Sequence, residues 1–453
     1  MRFTPWATRL VLTLSLSATA FLTACGGGGG GGGSTAQVRL LNATLNQTSL
    51  DLVVGTDTTV SSKVTQGTAG SYGSVDTNNP SGNVTTSGSG TSVAVWSPTL
   101  TGNSNYTVIA YNSAGIVRTS LLQENQDAPA SGKAKLLVLN LAPDAGPVDV
   151  YLLGSGDSPD TATPAVTNNA GGGGSGYIQL NSGTFRVRVT GTGVRGDVRL
   201  DIPAVTLDSA SINTLLLTNT VSGSLVTGTQ VVQQGKVTNF ANPLARVRVL
   251  NGLAGSPIVS ATVADSTAST TTTILAASRP LNLSSYVTFN GGAGTVTVLI
   301  DGVAKTLPTS SFVAGQDYTV LVWGPAAGAQ VKAVKDDNTL PSVNGNVKIR
   351  LINALSDPSA TATLNVNSQD VQTAINVATG SSSDSFSSAN YANGGNGVPV
   401  VVTSPFTQSG DPLWVQSGTV TSPGNTVLQA NGVYTVVVTG DPTAVRGRLY
   451  KDR

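Results

Sequence analysis

Apolar and polar residues alternate along much of this chain, and one alternating phrase occurs four times. Each copy interleaves apolar residues with polar or basic ones and ends in an asparagine. The four copies are Ala36-Gln-Val-Arg-Leu-Leu-Asn42, Ala134-Lys-Leu-Leu-Val-Leu-Asn140, Ala245-Arg-Val-Arg-Val-Leu-Asn251 and Asn346-Val-Lys-Ile-Arg-Leu-Ile-Asn353. Alternation with a period of two is typical of a strand with one buried face. We therefore predict four internal repeats that each begin with a β-strand.

A second phrase closes the repeats, and turn-forming residues separate the segments between the two phrases. The closing copies are Asn105-Tyr-Thr-Val-Ile-Ala110, Ile212-Asn-Thr-Leu-Leu-Leu217, Asp317-Tyr-Thr-Val-Leu-Val322 and Val433-Tyr-Thr-Val-Val-Val438. About six to eight short strands per repeat, with turns every ~8–12 residues, favour an immunoglobulin-like sandwich. The predicted fold class is all-β, with four tandem immunoglobulin-like antiparallel β-sandwich modules after a disordered N-terminal tether.

The spacing of the repeats predicts the domain boundaries. The predicted segments are a signal peptide at 1–24, a lipidated cysteine with a glycine tether at 25–35, and β-sandwiches at 36–129, 134–240, 245–341 and 346–453. The junctions before the second and fourth sandwiches look alike, which suggests a duplicated two-module unit. A strand of about eight residues is ~26 Å long, so four modules joined end to end would exceed ~100 Å.

Segments of the second and fourth repeats resemble a known bacterial family. The segments are 138–151 (Val-Leu-Asn-Leu-Ala-Pro-Asp-Ala-Gly-Pro-Val-Asp-Val-Tyr), 183–190 (Gly-Thr-Phe-Arg-Val-Arg-Val-Thr) and 434–440 (Tyr-Thr-Val-Val-Val-Thr-Gly). They are similar to the family called domain of unknown function 4397, and the likeness covers nearly the whole chain after the signal. The resemblance implies exported, repeated β-sandwich modules on bacterial surfaces, and it supplies no established activity or catalytic residue.

The first 24 residues have the parts of an export signal, with Arg2 and Arg9 followed by an apolar stretch over 10–22. This stretch is shorter than the ~20 residues of a membrane-spanning helix. The sequence Leu22-Thr-Ala-Cys25 resembles the bacterial lipobox. The resemblance implies cleavage before Cys25, transfer of a diacylglycerol to its sulfur and acylation of the new amine. We therefore predict that Cys25 attaches the protein to a membrane through acyl chains.

A run of glycines after Cys25 predicts a flexible tether over 26–33. Gly26 stands where, in enterobacterial lipoproteins, an aspartate marks retention in the inner membrane. By that resemblance the predicted location is the cell envelope, with the outer membrane favoured.

Composition narrows the classes of function. The 453 residues carry 24 basic and 23 acidic side chains, and removal of the signal takes away two arginines. This balance implies no basic face, so no nucleic-acid partner is predicted. Because the chain has no histidine and one cysteine, the sequence excludes His/Cys metal sites, an intrachain disulfide and a histidine-activated nucleophile.

Other candidate chemistry is sparse. Calcium binds clustered oxygen ligands, and three acidic pairs are candidates, although none stands in an Asp-x-Asp-x-Asp-Gly loop. The pairs are Asp144 with Asp149, Asp336 with Asp337, and Glu124 with Asp127. The Gly-x-Gly-x-x-Gly sequence at 191–196 precedes another alternating segment rather than a helix. It therefore predicts a hairpin turn, and no metal or cofactor is predicted.

Three tryptophans lie beyond the signal and are the candidate ligand-binding residues: Trp96, Trp323 and Trp414. Exposed aromatic rings stack on sugars, but sandwich cores also need aromatic residues, so both roles stay open. The predicted function is a lipid-anchored envelope protein with a structural, adhesive or protein-binding role and no catalysis. The alternative is a surface glycan-binding lipoprotein, and a weaker alternative is a secreted-type hydrolase. The predicted partners are the membrane and either envelope proteins or glycans.

Overall fold

The computed structural model describes residues 34–55, 57–78, 80–405, 412–416, 425–441 and 444–453. The predicted signal peptide, Cys25 and the glycine tether lie outside these residues. The described chain is built from β-strands and a few one-turn 3-10 helices. The 3-10 helices are Pro143–Ala145, Thr309–Ser311, Ala326–Gly328, Ala389–Tyr391 and Asn393–Gly395. Within the described ranges, none of the helices has the length and apolar content that a membrane span requires.

The first half of the described chain forms two modules, each with two facing sheets. The strands of module 1 are β1 (Thr35–Ala43), β2 (Ser49–Val54), β3 (Thr58–Thr65), β4 (Gly73–Asp76), β5 (Gly82–Thr86), β6 (Ser92–Trp96), β7 (Asn105–Ser113) and β8 (Ile116–Gln123). The strands of module 2 are β9 (Lys133–Asn140), β10 (Val148–Leu153), β11 (Val166–Asn169), β12 (Gly174–Asn181), β13 (Gly183–Gly191), β14 (Val194–Leu207), β15 (Ile212–Asn219), β16 (Val226–Val232) and β17 (Val237–Phe240). The sheet orders are β4-β1-β7-β8 facing β3-β2-β5-β6, and β12-β9-β15-β16-β17 facing β11-β10-β13-β14.

The second half repeats this arrangement. The strands of module 3 are β18 (Leu244–Leu253), β19 (Val259–Asp265), β20 (Thr270–Ser278), β21 (Asn282–Leu283), β22 (Val287–Asn290), β23 (Gly294–Ile300), β24 (Val303–Leu307), β25 (Asp317–Gly324) and β26 (Gln330–Asp336). The strands of module 4 are β27 (Val347–Leu355), β28 (Thr361–Val366), β29 (Gln369–Asp370), β30 (Val377–Ala378), β31 (Ser381–Ser382), β32 (Phe386–Ser388), β33 (Val400–Thr403), β34 (Trp414–Val415), β35 (Val433–Gly440) and β36 (Arg446–Lys451). The central pairs are β18-β25 and β27-β35 in one sheet of each module, and β19-β23 and β28-β33 in the other.

The predicted all-β sandwich fold is confirmed, with one refinement of strand direction. In each module the opening phrase and the closing phrase are neighbouring strands that run parallel: β1 with β7, β9 with β15, β18 with β25 and β27 with β35. Every other described pairing is antiparallel. Parallel neighbours need a crossover connection, and here the chain supplies it by passing through the opposite sheet.

Alternation along the opening strands explains the module cores. In β1, Val38 and Leu40 are fully buried between the two sheets with Leu52 and Val84 of the opposite sheet. Equivalent clusters fill the other three modules. Each sandwich therefore has its own hydrophobic core. Burial of this apolar surface stabilises the folded state by roughly 25 cal/mol per Å². The described chain nevertheless forms one compact unit from Ser34 to Arg453, and the exact domain boundaries stay a prediction.

The asparagine that ends each opening phrase is completely buried. The side-chain amide of Asn42 donates hydrogen bonds to the carbonyls of Gln47 and Val64, and its Oδ1 accepts one from the Thr44 amide. Asn353 binds in the same way to Ala360 and its own turn. These bonds satisfy backbone groups where the chain leaves the central strand, which accounts for an asparagine at this position in every repeat.

The modules pack face to face in pairs, contrary to the expectation of end-to-end contacts. Apolar residues on the outer sheet faces of modules 1 and 2 form one shared cluster, and modules 3 and 4 form another. The fully or nearly fully buried members are Leu41, Ile109, Leu122, Leu141, Leu216 and Val231 in the first cluster, and Leu250, Leu321, Ile352, Ala354 and Val437 in the second. The reason lies in the central strands, which are apolar on both faces near their ends and therefore bury both.

Candidate functional site

Three arginines occupy the same outward-facing position, three residues before the asparagine of the opening phrase. They are Arg39 in β1, Arg248 in β18 and Arg350 in β27, and each is at most 5% exposed. Because side chains alternate along a strand, this position faces the neighbouring module instead of its own core. Module 2 has Leu137 at this position, and Leu137 joins the apolar cluster shared with module 1.

The arginine of module 1 centres a small polar cluster against module 2. Arg39 Nη2 lies 3.1 Å from Glu124 Oε2, and Arg39 Nε donates to Thr107 Oγ1 at 2.8 Å. The Tyr72 hydroxyl donates to Glu124 at 3.0 Å, and the guanidinium lies over the Tyr72 ring. Module 2 contributes the Gly235 carbonyl, which accepts from Arg39 at 2.8 Å, and Gln234, whose backbone amide donates to Glu124 Oε2 and whose side-chain amide donates to the Glu124 carbonyl.

The interface of modules 3 and 4 contains the arginine, carboxylate and threonine of this cluster twice. Arg248 of module 3 donates to Asp452 of module 4 at 2.6 Å, and Arg350 of module 4 donates to Asp336 of module 3 at 2.6 Å. Arg248 Nε also lies 3.4 Å from Asp336 Oδ2. Each guanidinium additionally binds a threonine hydroxyl of the parallel neighbouring strand. Two arginines and two aspartates thus alternate across the interface.

These four charges stabilise one another within the protein. Burial raises the pKa of the Asp336 carboxyl, but the guanidiniums of Arg350 and Arg248 lower it by more than burial raises it. The pKa of Asp336 is therefore below its ordinary value. Burial, followed by the charge of Asp336, raises the pKa of the Tyr286 hydroxyl, which donates to Asp336 at 2.5 Å. Removing one partner of such a buried pair costs about 3–5 kcal/mol because the other charge stays buried.

Charged groups also connect the two module pairs. Arg246 of module 3 binds Asp317 through Nε and Nη2, at 2.8 and 2.6 Å, and lies 3.8 Å from Asp197 of module 2. Asp144, in the turn after β9, accepts a hydrogen bond from the Leu340 amide at 2.8 Å, in the segment before module 4. Burial is the largest effect on the Asp144 carboxyl and raises its pKa.

The tryptophans predicted from the sequence lie in packed surroundings. Trp96 is 4% exposed in the core of module 1. Trp323 joins the cluster between modules 3 and 4, where Gly380 approaches so closely that a Cβ atom there would lie 2.4 Å from the indole. Gly447 approaches Trp414 in the same way, at 2.5 Å. The structure does not bring the three rings together, and their role in ligand binding stays a prediction.

The acidic pairs considered for calcium have other partners. Asp149 accepts hydrogen bonds from the backbone amides of Asn168 and Gly193. Asp337 lies 2.6 Å from Lys348 Nζ, while Asp336 and Glu124 belong to the interface clusters described above. Within the described ranges, no group of three or more acidic, histidine or cysteine side chains is placed to hold a metal.

Sequence reasoning missed the interface arginines, although a signal for them was present. An arginine occurs three residues before the asparagine in three of the four opening phrases, at 39, 248 and 350. A basic residue repeated at one strand position, and replaced by Leu137 in one copy, indicates a specific partner. The partners Glu124, Asp336 and Asp452 lie too far along the chain for pattern analysis to pair them with these arginines.

A family model described as a domain of unknown function (DUF4397) matches residues 36–151 and 245–366, more than half of the chain. Each match begins in the opening strand of an odd-numbered module and ends in the second strand of the next. The two matched regions therefore begin two modules apart. No curated protein matches the chain.

Solved structures show only distant likeness. A candidate cell adhesion protein from Bacteroides uniformis is 14% identical, with 47% of this chain and 100% of that chain covered and a TM-score of 0.21. The Bacillus anthracis TIE protein is 10% identical, with 92% and 69% covered and a TM-score of 0.14. The major pilin subunit of Bacillus cereus is 10% identical, with 66% and 99% covered and a TM-score of 0.15. TM-scores of this size do not establish a shared fold.

The two-module spacing of the matched regions, the repeated opening phrase and the extent of the family match together identify this chain as a member of the DUF4397 family.

Proposed function

We propose that this protein is a lipid-anchored component of the bacterial cell envelope whose paired β-sandwich modules have a structural or adhesive role without catalysis. Acyl chains on Cys25 would hold it at a membrane, with the outer membrane favoured, and the glycine run would separate the folded modules from the lipid.

The observation that supports the structural role is that buried charged side chains pair between modules. Arg248, Arg350, Asp336 and Asp452 are almost completely buried and pair across the interface of modules 3 and 4. Groups committed to one another in this way hold modules in a fixed relative position. A rigid array of modules is what an adhesive or structural envelope protein requires.

The anchor rests on the position of Cys25 at the end of a short apolar signal. A single acyl chain gives marginal membrane binding, whereas two or more give stable attachment. Processing at a lipobox supplies this number of chains, so the proposed attachment is permanent.

Metabolic labelling with an alkyne fatty acid tests the anchor. The wild-type protein should take up the label and fractionate with membranes, and Cys25→Ser should abolish both. Ser34→Ala, a conservative change directly after the glycine run, is the matched control and should label normally. Labelling of Cys25→Ser at the wild-type level would contradict the proposal.

A deletion strain tests the role at the envelope. Loss of adhesion or of envelope integrity, restored by the wild-type gene but not by the Cys25→Ser variant, is the expected result. Turnover of a polymeric substrate by the purified protein, at rates above a heat-denatured control, would replace the structural proposal with an enzymatic one.

A further inference from the structure

A cavity of about 260 Å³ lies where the facing sheets of modules 1 and 2 diverge. It continues the shared apolar cluster and opens at the turn after β1. One wall carries Ala43, Thr44 and Gln66 of module 1, and the other carries threonines of β15 and β16. Ligand pockets occur preferentially at such interfaces between domains.

The wall from module 2 offers hydroxyl groups and no charge. Thr218 and Thr227 are directly paired on β15 and β16, so their side chains lie on the same face, and Thr229 follows two residues along. Thr229 Oγ1 donates to Asn239 Oδ1 at 3.1 Å. Thr218 is only 4% exposed, yet its hydroxyl has no hydrogen-bond partner within the described residues. Because Thr218 lines the cavity, this hydroxyl can bond a ligand there.

The corresponding place between modules 3 and 4 is closed. Thr439 is the counterpart of Thr218, and its hydroxyl donates to the carbonyl of Gly252 across the interface. Arg446 is the counterpart of Thr227, and its guanidinium donates to the Gly255 carbonyl at 2.8 Å. Between modules 1 and 2, the counterpart of Thr439 makes no such bond across the interface within the described part of the chain, and a shorter threonine stands in place of Arg446.

Side-chain size explains why one interface opens and the other closes. A Cβ atom on Gly252 would lie 2.6 Å from the Cβ of Ala354, so glycine is what allows these sheets to approach. The counterparts in modules 1 and 2 are Ala43 and Leu141, which are both larger. The larger pair leaves less room for the sheets to approach at this end, where Ala43 lines the cavity beside Thr218.

We propose that this cavity binds a neutral saccharide of one or two sugar rings. No charged side chain is among its lining residues, which disfavours an anionic or cationic ligand. Its volume lies just below the ~300–1,000 Å³ of drug-sized sites and suits one or two rings. The hydroxyls of Thr218 and Thr227 match sugar hydroxyls, and so does Gln66 Oε1, since Gln66 Nε2 donates to the Thr44 carbonyl. Ala43 would contact the apolar face of a ring. This site goes beyond the structural role and does not depend on the anchor.

Saturation-transfer NMR on the purified full-length protein tests the proposal. The probes are glucose, galactose, mannose, N-acetylglucosamine, cellobiose and chitobiose. At least one should give a saturable signal. Thr218→Val keeps the shape of the side chain and should weaken that binding about tenfold, the effect of one lost hydrogen bond. Thr227→Arg, which copies module 4, should abolish it by filling the cavity.

Thr439→Val is the matched control, because its hydroxyl is bonded inside the closed interface, and it should leave sugar binding unchanged. The circular dichroism spectrum of each variant checks that the fold is intact. No binding by any of the six sugars, or binding that Thr227→Arg leaves intact, would overturn the proposal and assign the cavity to solvent.

Discussion

Asp336→Asn is the substitution that most sharply probes the interface of modules 3 and 4. The Asp336 carboxylate accepts hydrogen bonds from Arg350 at 2.6 Å, Thr319 at 2.7 Å and Tyr286 at 2.5 Å. Asparagine has nearly the same shape but no charge, so Arg350 loses its nearest counter-charge while it remains buried.

The expected loss of stability is large. Removing one partner of a buried ion pair costs about 3–5 kcal/mol. With a guanidinium m-value of about 4 kcal/mol/M, this corresponds to a midpoint lower by about 1 M. The assay is guanidinium unfolding at pH 7, followed by tryptophan fluorescence, because Trp323 lies at this interface.

Two further variants make the result specific. Asp384→Asn changes an exposed aspartate of module 4 and should alter stability by less than about 0.5 kcal/mol. Arg350→Leu in the Asp336→Asn background removes the uncompensated charge, using the residue type that module 2 has at this position, and should restore part of the loss. The reasoning is refuted if Asp336→Asn is no less stable than Asp384→Asn.

Three more predictions concern the pH dependence of the Asp336 effect and substitutions of Leu137 and Asn353. The stability difference between wild type and Asp336→Asn should be complete above pH 3.8, the ordinary pKa, and should shrink as pH falls below it through the lower pKa of the folded state; urea unfolding from pH 7 to pH 2.5 measures this, and a constant difference would contradict it. Leu137→Arg should destabilise the interface of modules 1 and 2 by about 1–3 kcal/mol in thermal unfolding, because it adds a second charge at a partly buried position of an interface whose carboxylate Glu124 is already bonded to Arg39, whereas Leu137→Met should cost less than about 1.5 kcal/mol. Asn353→Ala removes two hydrogen bonds to the buried carbonyls of Ala360 and Val377 and should cost about 2–4 kcal/mol in the same assay, with the exposed Asn396→Ala as a neutral control.

Much of the module fold could be predicted from local pattern. The alternation through Val38 and Leu40 places one face of β1 in a core, and the same alternation recurs in every repeat. The parallel pairing of opening and closing phrases could not be predicted, because both phrases read as ordinary strands. Direction depends on the path of the chain through the opposite sheet, which local alternation does not record.

The face-to-face pairing of modules was only partly visible in the sequence. Leu41 and Leu250 stand at positions that a half-buried strand would give to polar residues, which signals a second buried face. The side chains that pair with the interface arginines come from distant segments, as with Arg248 and Asp452, which are 204 positions apart. Charge type and periodicity cannot match such partners without the three-dimensional arrangement.

Contacts between distant segments also explain why the role of the tryptophans could not be predicted. Trp323 follows an alternating strand, and its sequence neighbourhood does not distinguish a sugar platform from packing. Its surroundings depend on Gly380, which belongs to the next module. The sequence therefore indicates that the tryptophans are candidate binding residues, but it does not show which segments pack against them.

A double-mutant cycle on Arg248 and Asp452 tests most directly the central claim that modules 3 and 4 are held together by buried charge. The two side chains lie 2.6 Å apart and belong to different modules. The cycle compares unfolding of wild type, Arg248→Leu, Asp452→Asn and the double variant. The account predicts a coupling energy of about 1–3 kcal/mol. Additive effects, with a coupling below about 0.3 kcal/mol, would contradict it.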